Sequence, residues 1–178
     1  MHLDDRLQAL ADFVPEGSRA ADIGTDHGYL AAALIQQGKA EFVVAGDKNR
    51  GPYEAAKRTV HENAIGEEQI SVRLGDGLEV VKPGEVDTVC IAGMGGVLMN
   101  TILEASPDVV MQLKTLVLQP MNGAPELREW LYDHEWHITD ENLVIDDGRI
   151  YEIIKAEKGT LVAVTYFHEG ENLHLSGR

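Results

Sequence analysis

The distribution of apolar and polar residues along the chain predicts an alternation of helices and strands. Residues 3–14 place Leu and Ala at helical spacing, which predicts an amphipathic helix that ends at Pro15. Five short apolar runs end at residues 23, 46, 74, 92 and 119, and we interpret each as a strand. Helical patterns at residues 29–37, 52–63, 97–105 and 124–134 lie between or after these runs. Strands that alternate with helices indicate an α/β fold with a Rossmann-like, doubly wound and mostly parallel sheet.

The C-terminal part of the chain has a different pattern. Residues 137–145 and 150–156 predict an antiparallel hairpin across the turn formed by residues 146–148. Residues 161–167 have a strand-like pattern, and the polar end of the 178-residue chain has no assignable one. We therefore expect one Rossmann-like domain over residues 1–158 and a C-terminal extension over residues 159–178.

The turn after the first strand, residues 22–28, has the composition of a cofactor-binding turn. Doubly wound sheets hold nucleotide-like ligands where the first strand ends and the next helix begins. Asp26 occupies the place of the second glycine in a dinucleotide-binding G-x-G-x-x-G motif, and its carboxylate would repel a pyrophosphate. The spacing D-x-G-x-x-x-G instead resembles the first motif of the class I S-adenosylmethionine (SAM) methyltransferases, whose cofactor carries cationic sulfonium and amino groups. The alternative is an ordinary turn without a ligand.

Acidic residues follow the second and third predicted strands. Asp47 stands 23 residues after Gly24, where a carboxylate accepts hydrogen bonds from both ribose hydroxyls of an adenosine ligand. Asp76, between two glycines, is placed for the adenine amino group, although Asp is also common in such turns. Because the carboxyl ends of parallel strands share one edge of a sheet, we predict that these acids converge with Asp22 on one crevice. The alternative for Asp47 is a solvated acid at a strand end.

A glycine-rich run, residues 92–96, follows the fourth strand beside the predicted switch point of the sheet. Its three glycines permit close backbone approach to a ligand or a planar base. Many amino-group methyltransferases have Asn or Asp followed by two prolines at this place, and this chain does not. A simple amine substrate is therefore disfavoured, and a tight turn that needs positive φ is the alternative interpretation.

Composition narrows the functional classes. The formal net charge of −15 argues against a broad nucleic-acid-binding surface, because phosphate contacts need Lys and Arg. The single cysteine, Cys90, precludes a disulfide within the chain and favours a cytoplasmic protein. The first residues lack the apolar core of a signal peptide, and no apolar run is long enough to span a membrane. No metal site is predicted.

Several motifs in order resemble one methyltransferase family. Over residues 4–158 the chain is similar to the bacterial tRNA (adenine-N1)-methyltransferases that modify position 22 of the tRNA. The resemblance implies a Rossmann-like sheet, SAM as the cofactor and tRNA as the partner. The motifs that carry it are residues 22–27, 51–53 with 56–58, 71–78, 91–96, 118–120, 127–131 and 151–152.

Three features depart from the family pattern. Asp47 stands where the family has Glu, and Met121 intervenes between the Gln119-Pro120 pair and Asn122. The chain also ends where the family's C-terminal helical coiled coil is expected to begin. We therefore expect weak tRNA binding without that arm. A monomer is expected as well.

The resemblance, together with the strand-end pattern, assigns roles to individual residues. Asp26 is expected nearest the reacting centre, and His27 is expected to be structural. Lys48, Arg50 and Lys57 are candidates to hold phosphates, together with Arg6 and Arg58. The predicted cofactor-binding residues are Asp22, Gly24, Thr25, Asp26, His27, Gly28, Asp47, Lys48, Asp76, Gly77, Ala92, Gly93, Met94 and Gly95. The predicted substrate-binding residues are Arg6, Arg58, Gly96, Gln119, Pro120, Asn122 and Tyr151.

The expected reaction needs no obligatory general base. Adenine N1 has a lone pair in the ring plane and attacks the methyl group of SAM in an in-line displacement, so positioning and electrostatics carry most of the rate. A base inside a folded tRNA must be exposed or flipped to reach the site. Two alternatives are a SAM methyltransferase for another substrate and a catalytically silent Rossmann-like binding module.

Overall fold

The computed structural model describes residues 1–159, 161–165 and 174–177 of the chain. The helices are α1 (Asp5–Phe13), α2 (Tyr29–Gln36), α3 (Arg50–Glu62), α4 (Gly96–Glu104), α5 (Pro107–Val110) and α6 (Ala124–Asp133), with a 3-10 turn at Gly77–Val80. The strands are β1 (Ser18–Ile23), β2 (Ala40–Asp47), β3 (Ile70–Leu74), β4 (Thr88–Met94), β5 (Thr115–Pro120), β6 (Trp136–Asp146), β7 (Arg149–Lys158), β8 (Leu161–Thr165) and β9 (His174–Gly177).

Within the described residues, seven strands form a sheet in the order β3-β2-β1-β4-β5-β7-β6. Strands β1 to β5 are parallel, whereas β7 pairs antiparallel with both β5 and β6. The order reverses between β1 and β4, which is the topological switch point of a doubly wound sheet. This topology confirms the predicted Rossmann-like fold with an antiparallel C-terminal hairpin.

The observed elements differ from the predicted ones mainly at their ends. Strands β4 and β5 run to Met94 and Pro120, because a bulge lets the two strands stay paired past Ala92. The 3-10 turn and α5 are absent from the predictions, since four residues are too few to show helical periodicity. The strand-like pattern at 161–167 is confirmed over β8, which pairs with β9, and Tyr166 and Phe167 lie outside the described residues.

Two buried apolar layers cover the faces of the sheet. Met99 of α4 and Leu127 of α6 pack on one face, and Leu10 of α1 and Leu34 of α2 pack on the other. Successive residues of β5 alternate between the two layers, as the two-residue period of a strand requires. Helix α1 lies against β5, β6 and β7. This position brings its first turn to the carboxyl edge of the sheet, where the loops after β1, β2 and β4 also lie.

Glycine decides how α2 begins. Gly28 caps this helix in the left-handed region, with φ of 74°. A Cβ on Gly28 would lie 3.1 Å from both Cα and Cβ of Ala56 in α3. Gly28 was predicted to bind the cofactor, but the nearest neighbours of its missing side chain belong to helix α3. The glycine therefore sets the packing of two helices behind the turn.

Candidate active site

A cavity of about 290 Å³ lies at the carboxyl ends of β1, β2 and β4. It is built from the turns that follow these strands, from the turn after β3 and from the first two turns of α4. Nine of the predicted cofactor-binding residues line this cavity, namely Gly24, Asp26, Asp47, Lys48, Asp76, Gly77, Ala92, Gly93 and Met94. The strand-end acids Asp47 and Asp76 therefore meet at one crevice, together with Asp26 of the first turn.

Asp47 is held in place by backbone N–H groups of two different turns. The residue is only 8% exposed. Its Oδ2 accepts a hydrogen bond from the N–H of Asp26 at 3.2 Å, and its Oδ1 accepts one from the N–H of Asn49 at 3.0 Å. Each oxygen of an ionised carboxylate can accept two hydrogen bonds. One acceptor position therefore remains on each oxygen, which suits a pair of adjacent hydroxyl groups.

The backbone conformation at Gly24 favours glycine, and a side chain there would have to displace the end of the Met94 side chain. This glycine has φ of 74°, and a Cβ would lie 2.4 Å from Cε of Met94. Gly24 and Thr25 both donate their N–H groups to the carbonyl oxygen of Gly46 at 2.9 Å, which ties the turn to β2. Asp26 follows with φ of 55°, a left-handed conformation that Asp adopts more easily than most residues.

Asp22 is a buried carboxyl group beneath the same turn. It is 4% exposed, and the hydroxyl of Thr25 donates to its Oδ2 at 2.8 Å. Burial raises the pKa of Asp22 to about 6, although the hydrogen bond from Thr25 acts in the opposite direction. The nearby carboxylates of Asp47 and Asp26 raise this pKa further, and the guanidinium of Arg6 lowers it. Ionisation of Asp22 is therefore costly unless a cation binds beside it.

A smaller cavity of about 100 Å³ lies on the other side of the turn, next to α1. Arg6 and Leu7 of α1 face Asp26 and His27 of the turn across this space. Asp26 lines both cavities, and its side chain is 72% exposed. His27 stacks on Tyr29 with ring centroids 5.2 Å apart, and its Nε2 lies 3.8 Å from a carboxylate oxygen of Asp26. Asp26 is thus the acidic group at the boundary between the two spaces.

Three of the predicted substrate-binding residues contact one another, and one of them, Arg6, lines the smaller cavity. Gln119, at the end of β5, is fully buried, and its Oε1 accepts a hydrogen bond from Nη1 of Arg6 at 2.9 Å. The guanidinium of Arg6 also lies over the ring of Tyr151, 5.6 Å from its centroid. The bond from Arg6 fixes the orientation of the Gln119 amide, so that its Nε2 is the donor and points toward Sδ of Met121 at 3.5 Å.

The other glycines of the run after β4 serve packing. The N–H of Gly96 donates to the carbonyl of Asn122 at 2.8 Å, and a Cβ on Gly96 would lie 2.2 Å from the carbonyl oxygen of Gly123. A Cβ on Gly95 would lie 2.7 Å from Oδ1 of Asn122. Gly93 lines the larger cavity, whereas Gly95 and Gly96 let the loop after β4 lie on the loop after β5.

The remaining predicted residues line neither of the two cavities. Pro120 is buried where β5 pairs with Met94 of β4, and Asn122 follows in the loop that contacts Gly95. Arg58 is exposed on α3 and is not among the residues that line either cavity. Gly28 supports the turn from behind.

Sequence reasoning overlooked part of the lining. Asn49 lines the larger cavity, two residues after Asp47, and Leu98 and Ile102 of α4 form its apolar side. Tyr29 lines the smaller cavity. The sequence did carry a signal for Leu98, because it is an apolar residue in the first turn of a helix that follows a glycine-rich loop directly. Asn49 gave no signal beyond its proximity to Asp47.

Comparison with known proteins agrees with this geometry. A family model described as a methyltransferase domain matches residues 3–154. The tRNA (adenine(22)-N(1))-methyltransferase of Bacillus subtilis is 44% identical over 159 residues, which are 89% of this chain and 66% of that protein. The crystal structure of the B. subtilis m1A22 tRNA methyltransferase TrmK has a TM-score of 0.84 at 44% identity and covers 89% of this chain and 67% of that one. Streptococcus pneumoniae Sp1610, described as a putative tRNA (m1A22) methyltransferase in complex with S-adenosyl-L-methionine, has a TM-score of 0.86 at 36% identity, with 91% and 76% covered.

The chain belongs to the methyltransferase-domain family, in the group of the tRNA (adenine(22)-N(1))-methyltransferases. This result confirms the family resemblance stated from the sequence motifs. The chain spans 66% of the length of the curated Bacillus relative. Within the described residues, no helix is both long enough and apolar enough to cross a membrane.

Proposed function

We propose that this chain is a SAM-dependent methyltransferase that acts on N1 of an adenine at position 22 of tRNA. The observation that carries the proposal is the buried Asp47 carboxylate, which lines the cavity with one acceptor position left on each oxygen. The similarity to tRNA (m1A22) methyltransferases, one of them described in complex with SAM, supports the choice of cofactor and substrate.

The charges of the cavity fit SAM better than a dinucleotide. Asp26, Asp47 and Asp76 line it, with Lys48 as the basic residue of the lining. An excess of carboxylates favours the cationic sulfonium and amino groups of SAM and disfavours a pyrophosphate. Asp47 would hold the ribose hydroxyls, and Leu98 and Ile102 offer an apolar side to the adenine ring. The other predicted cofactor-binding residues that line the two cavities belong to the same proposed site.

The chain's own residues then position the target base. When bound, SAM supplies an electrophilic methyl group on a cationic sulfur. The lone pair of adenine N1 forms the new N–C bond as the S–C bond breaks, so the positive charge moves from sulfur to the base and no proton leaves in that step. Asp26 lies at the boundary of the two cavities and would stabilise the growing positive charge on the base. We assign His27, stacked on Tyr29, a structural role.

The target base would enter the smaller cavity, between α1 and the first turn. Arg6 lines this cavity. The buried Gln119 amide, which accepts a hydrogen bond from Arg6, and the Tyr151 ring beneath the guanidinium would hold Arg6 in place for the base. We include the domain division at residue 158, a monomeric state and a cytoplasmic location in the proposal, the last because tRNA is the substrate.

The test is methyl transfer from labelled SAM to an unmodified tRNA transcript, followed by mapping of the modified nucleosides. We expect 1-methyladenosine at position 22, and no label in a transcript with guanine at that position. Label at another nucleotide would contradict the assignment of position 22 and identify the nucleotide that is methylated instead. Bound SAM without transfer to any RNA would identify a silent binding module.

A further inference from the structure

The positive charges of this acidic chain are unevenly distributed. Residues 48–58, hereafter the basic segment, contain four basic residues and one acidic residue, a net charge of +3 in a chain of net charge −15. The basic residues are Lys48, Arg50, Lys57 and Arg58, and the acidic one is Glu54. Such a local reversal of sign marks a surface suited to an anionic partner.

The basic segment is exposed, and most of its charge is not neutralised. Lys48, Arg50, Lys57 and Arg58 are all exposed. Among the residues that the structure describes, Arg50 forms the one ion pair of the segment, with Glu54 at 3.9 Å, and both partners face solvent. An exposed pair at that distance neutralises its arginine only weakly.

An aromatic residue accompanies these charges. Nζ of Lys57 lies 5.2 Å from the centroid of the Tyr53 ring. Tyr53, Lys57 and His61 line one side of an open groove between α3 and β3, the edge strand of the sheet. Glu67 also lines this groove, so its far side carries the opposite charge. Aromatic rings beside cations are the usual elements of surfaces that bind single-stranded nucleic acid.

The basic segment begins at the rim of the proposed active site. Lys48 and Asn49 line the cofactor cavity, and α3 leads from there along the outer side of the sheet. From Arg50 to Arg58 the helix rises about 12 Å, which matches the rise of three to four nucleotides in one strand. We propose that the basic segment binds the phosphate backbone of the tRNA on the side of the target adenine. This inference rests on the proposed function.

The continuity with the cavity favours RNA over an acidic protein partner. A protein could bind an exposed basic helix anywhere on the surface, whereas an RNA whose base is methylated must pass the rim of the cavity. Outside the basic segment the acidic surface of the chain repels RNA. The contacts with RNA phosphates are therefore expected to concentrate in this segment.

The test is a tRNA binding titration at 50 and 200 mM salt with the full chain. The double variant Lys57→Gln/Arg58→Gln removes two phosphate contacts, so the slope of log affinity against log salt should become shallower by about 1.4–1.8. The ratio of the affinity at 50 mM salt to that at 200 mM salt is then roughly tenfold smaller in this variant than in the wild type. Glu54→Gln removes the acid of the segment and should tighten binding.

The matched control is Lys82→Gln/Lys114→Gln, which makes the same change in charge. Both lysines are exposed. They precede β4 and β5, at the amino ends of the strands and therefore away from the ends that carry the cavity. SAM affinity, measured in parallel, should be unchanged in Lys57→Gln/Arg58→Gln and in the control. If both double variants shift the salt slope equally, or neither does, the inference is overturned and an acidic protein becomes the candidate partner. If the wild type binds tRNA through the basic segment but transfers no methyl group, the proposed function is overturned, whereas the role of the basic segment in RNA binding stands.

Discussion

Replacement of Asp22 by Asn should stabilise the protein at neutral and alkaline pH. The unfolded carboxyl group loses its proton near its ordinary pKa of 3.8, whereas burial raises the pKa of the folded group to about 6. Between these two values the folded state binds more protons than the unfolded state, so the free energy of unfolding falls as pH rises. Above pH 6 the folded wild type contains a buried carboxylate, and the Asn variant does not.

The magnitude follows from the two pKa values. A difference of about two units corresponds to about 3 kcal/mol of stability lost above pH 6. About 2 kcal/mol of this loss falls between pH 4.5 and pH 8. Asn keeps an acceptor oxygen for the hydroxyl of Thr25, so the hydrogen bond at 2.8 Å can survive the substitution. The advantage of Asp22→Asn over the wild type should therefore grow by about 2 kcal/mol between the two pH values.

Urea denaturation of both proteins without cofactor, at pH 4.5 and pH 8, measures this difference. Trp130 and Trp136 are buried and report unfolding by fluorescence. Every other carboxyl group is common to the two proteins, so comparison of the pair isolates Asp22. A stability difference that stays constant with pH would refute the reasoning, because Asp22 would then titrate alike in the folded and unfolded states. We also expect the variant to bind SAM less tightly, a loss of function that accompanies the gain in stability.

Three further predictions concern single residues. Asp47→Ala should weaken SAM binding by about 1.5–3 kcal/mol in calorimetry, because hydrogen bonds to a charged group are lost, and NADH should give no measurable heat. Asp26→Asn should keep SAM binding but strongly reduce methyl transfer to tRNA, since Asn tolerates the left-handed backbone and lacks the charge. Gly96→Ala should lower the free energy of unfolding by roughly 1–3 kcal/mol in urea, because its Cβ would lie 2.2 Å from the carbonyl oxygen of Gly123.

The predictions for Asp47 and Gly96 each have a matched control variant, and the prediction for Asp26 has an outcome that would refute it. Asp47→Asn preserves the shape and one acceptor oxygen and should fall between wild type and Asp47→Ala, while unchanged SAM affinity in a folded Asp47→Ala protein removes this residue from the site. Turnover near the wild-type rate in Asp26→Asn makes Asp26 a structural turn residue. Gly51→Ala, whose Cβ meets open space at the start of α3, should be close to neutral, and an equal loss in both glycine variants would contradict the packing argument.

The sequence alone determined the architecture and the edge of the sheet that carries the site. Apolar runs of strand length are local signals, and parallel strands place their carboxyl ends together whatever the rest of the chain does. For that reason Asp47 and Asp76 were predicted to meet, and both line the observed cavity. The turn of residues 22–28 was recognisable because its glycines and acids follow a strand directly.

Only the tertiary structure decided which groups contact each other when they are far apart in the sequence. Arg6 and Gln119 are 113 residues apart, and their hydrogen bond exists because α1 packs over the end of β5. Gly96 was interpreted as a substrate contact, yet its missing side chain makes room for the loop at Gly123. The raised pKa of Asp22 likewise depends on burial by several elements. Periodicity and local motifs record the conformation of neighbouring residues, whereas packing distance and desolvation depend on the whole fold.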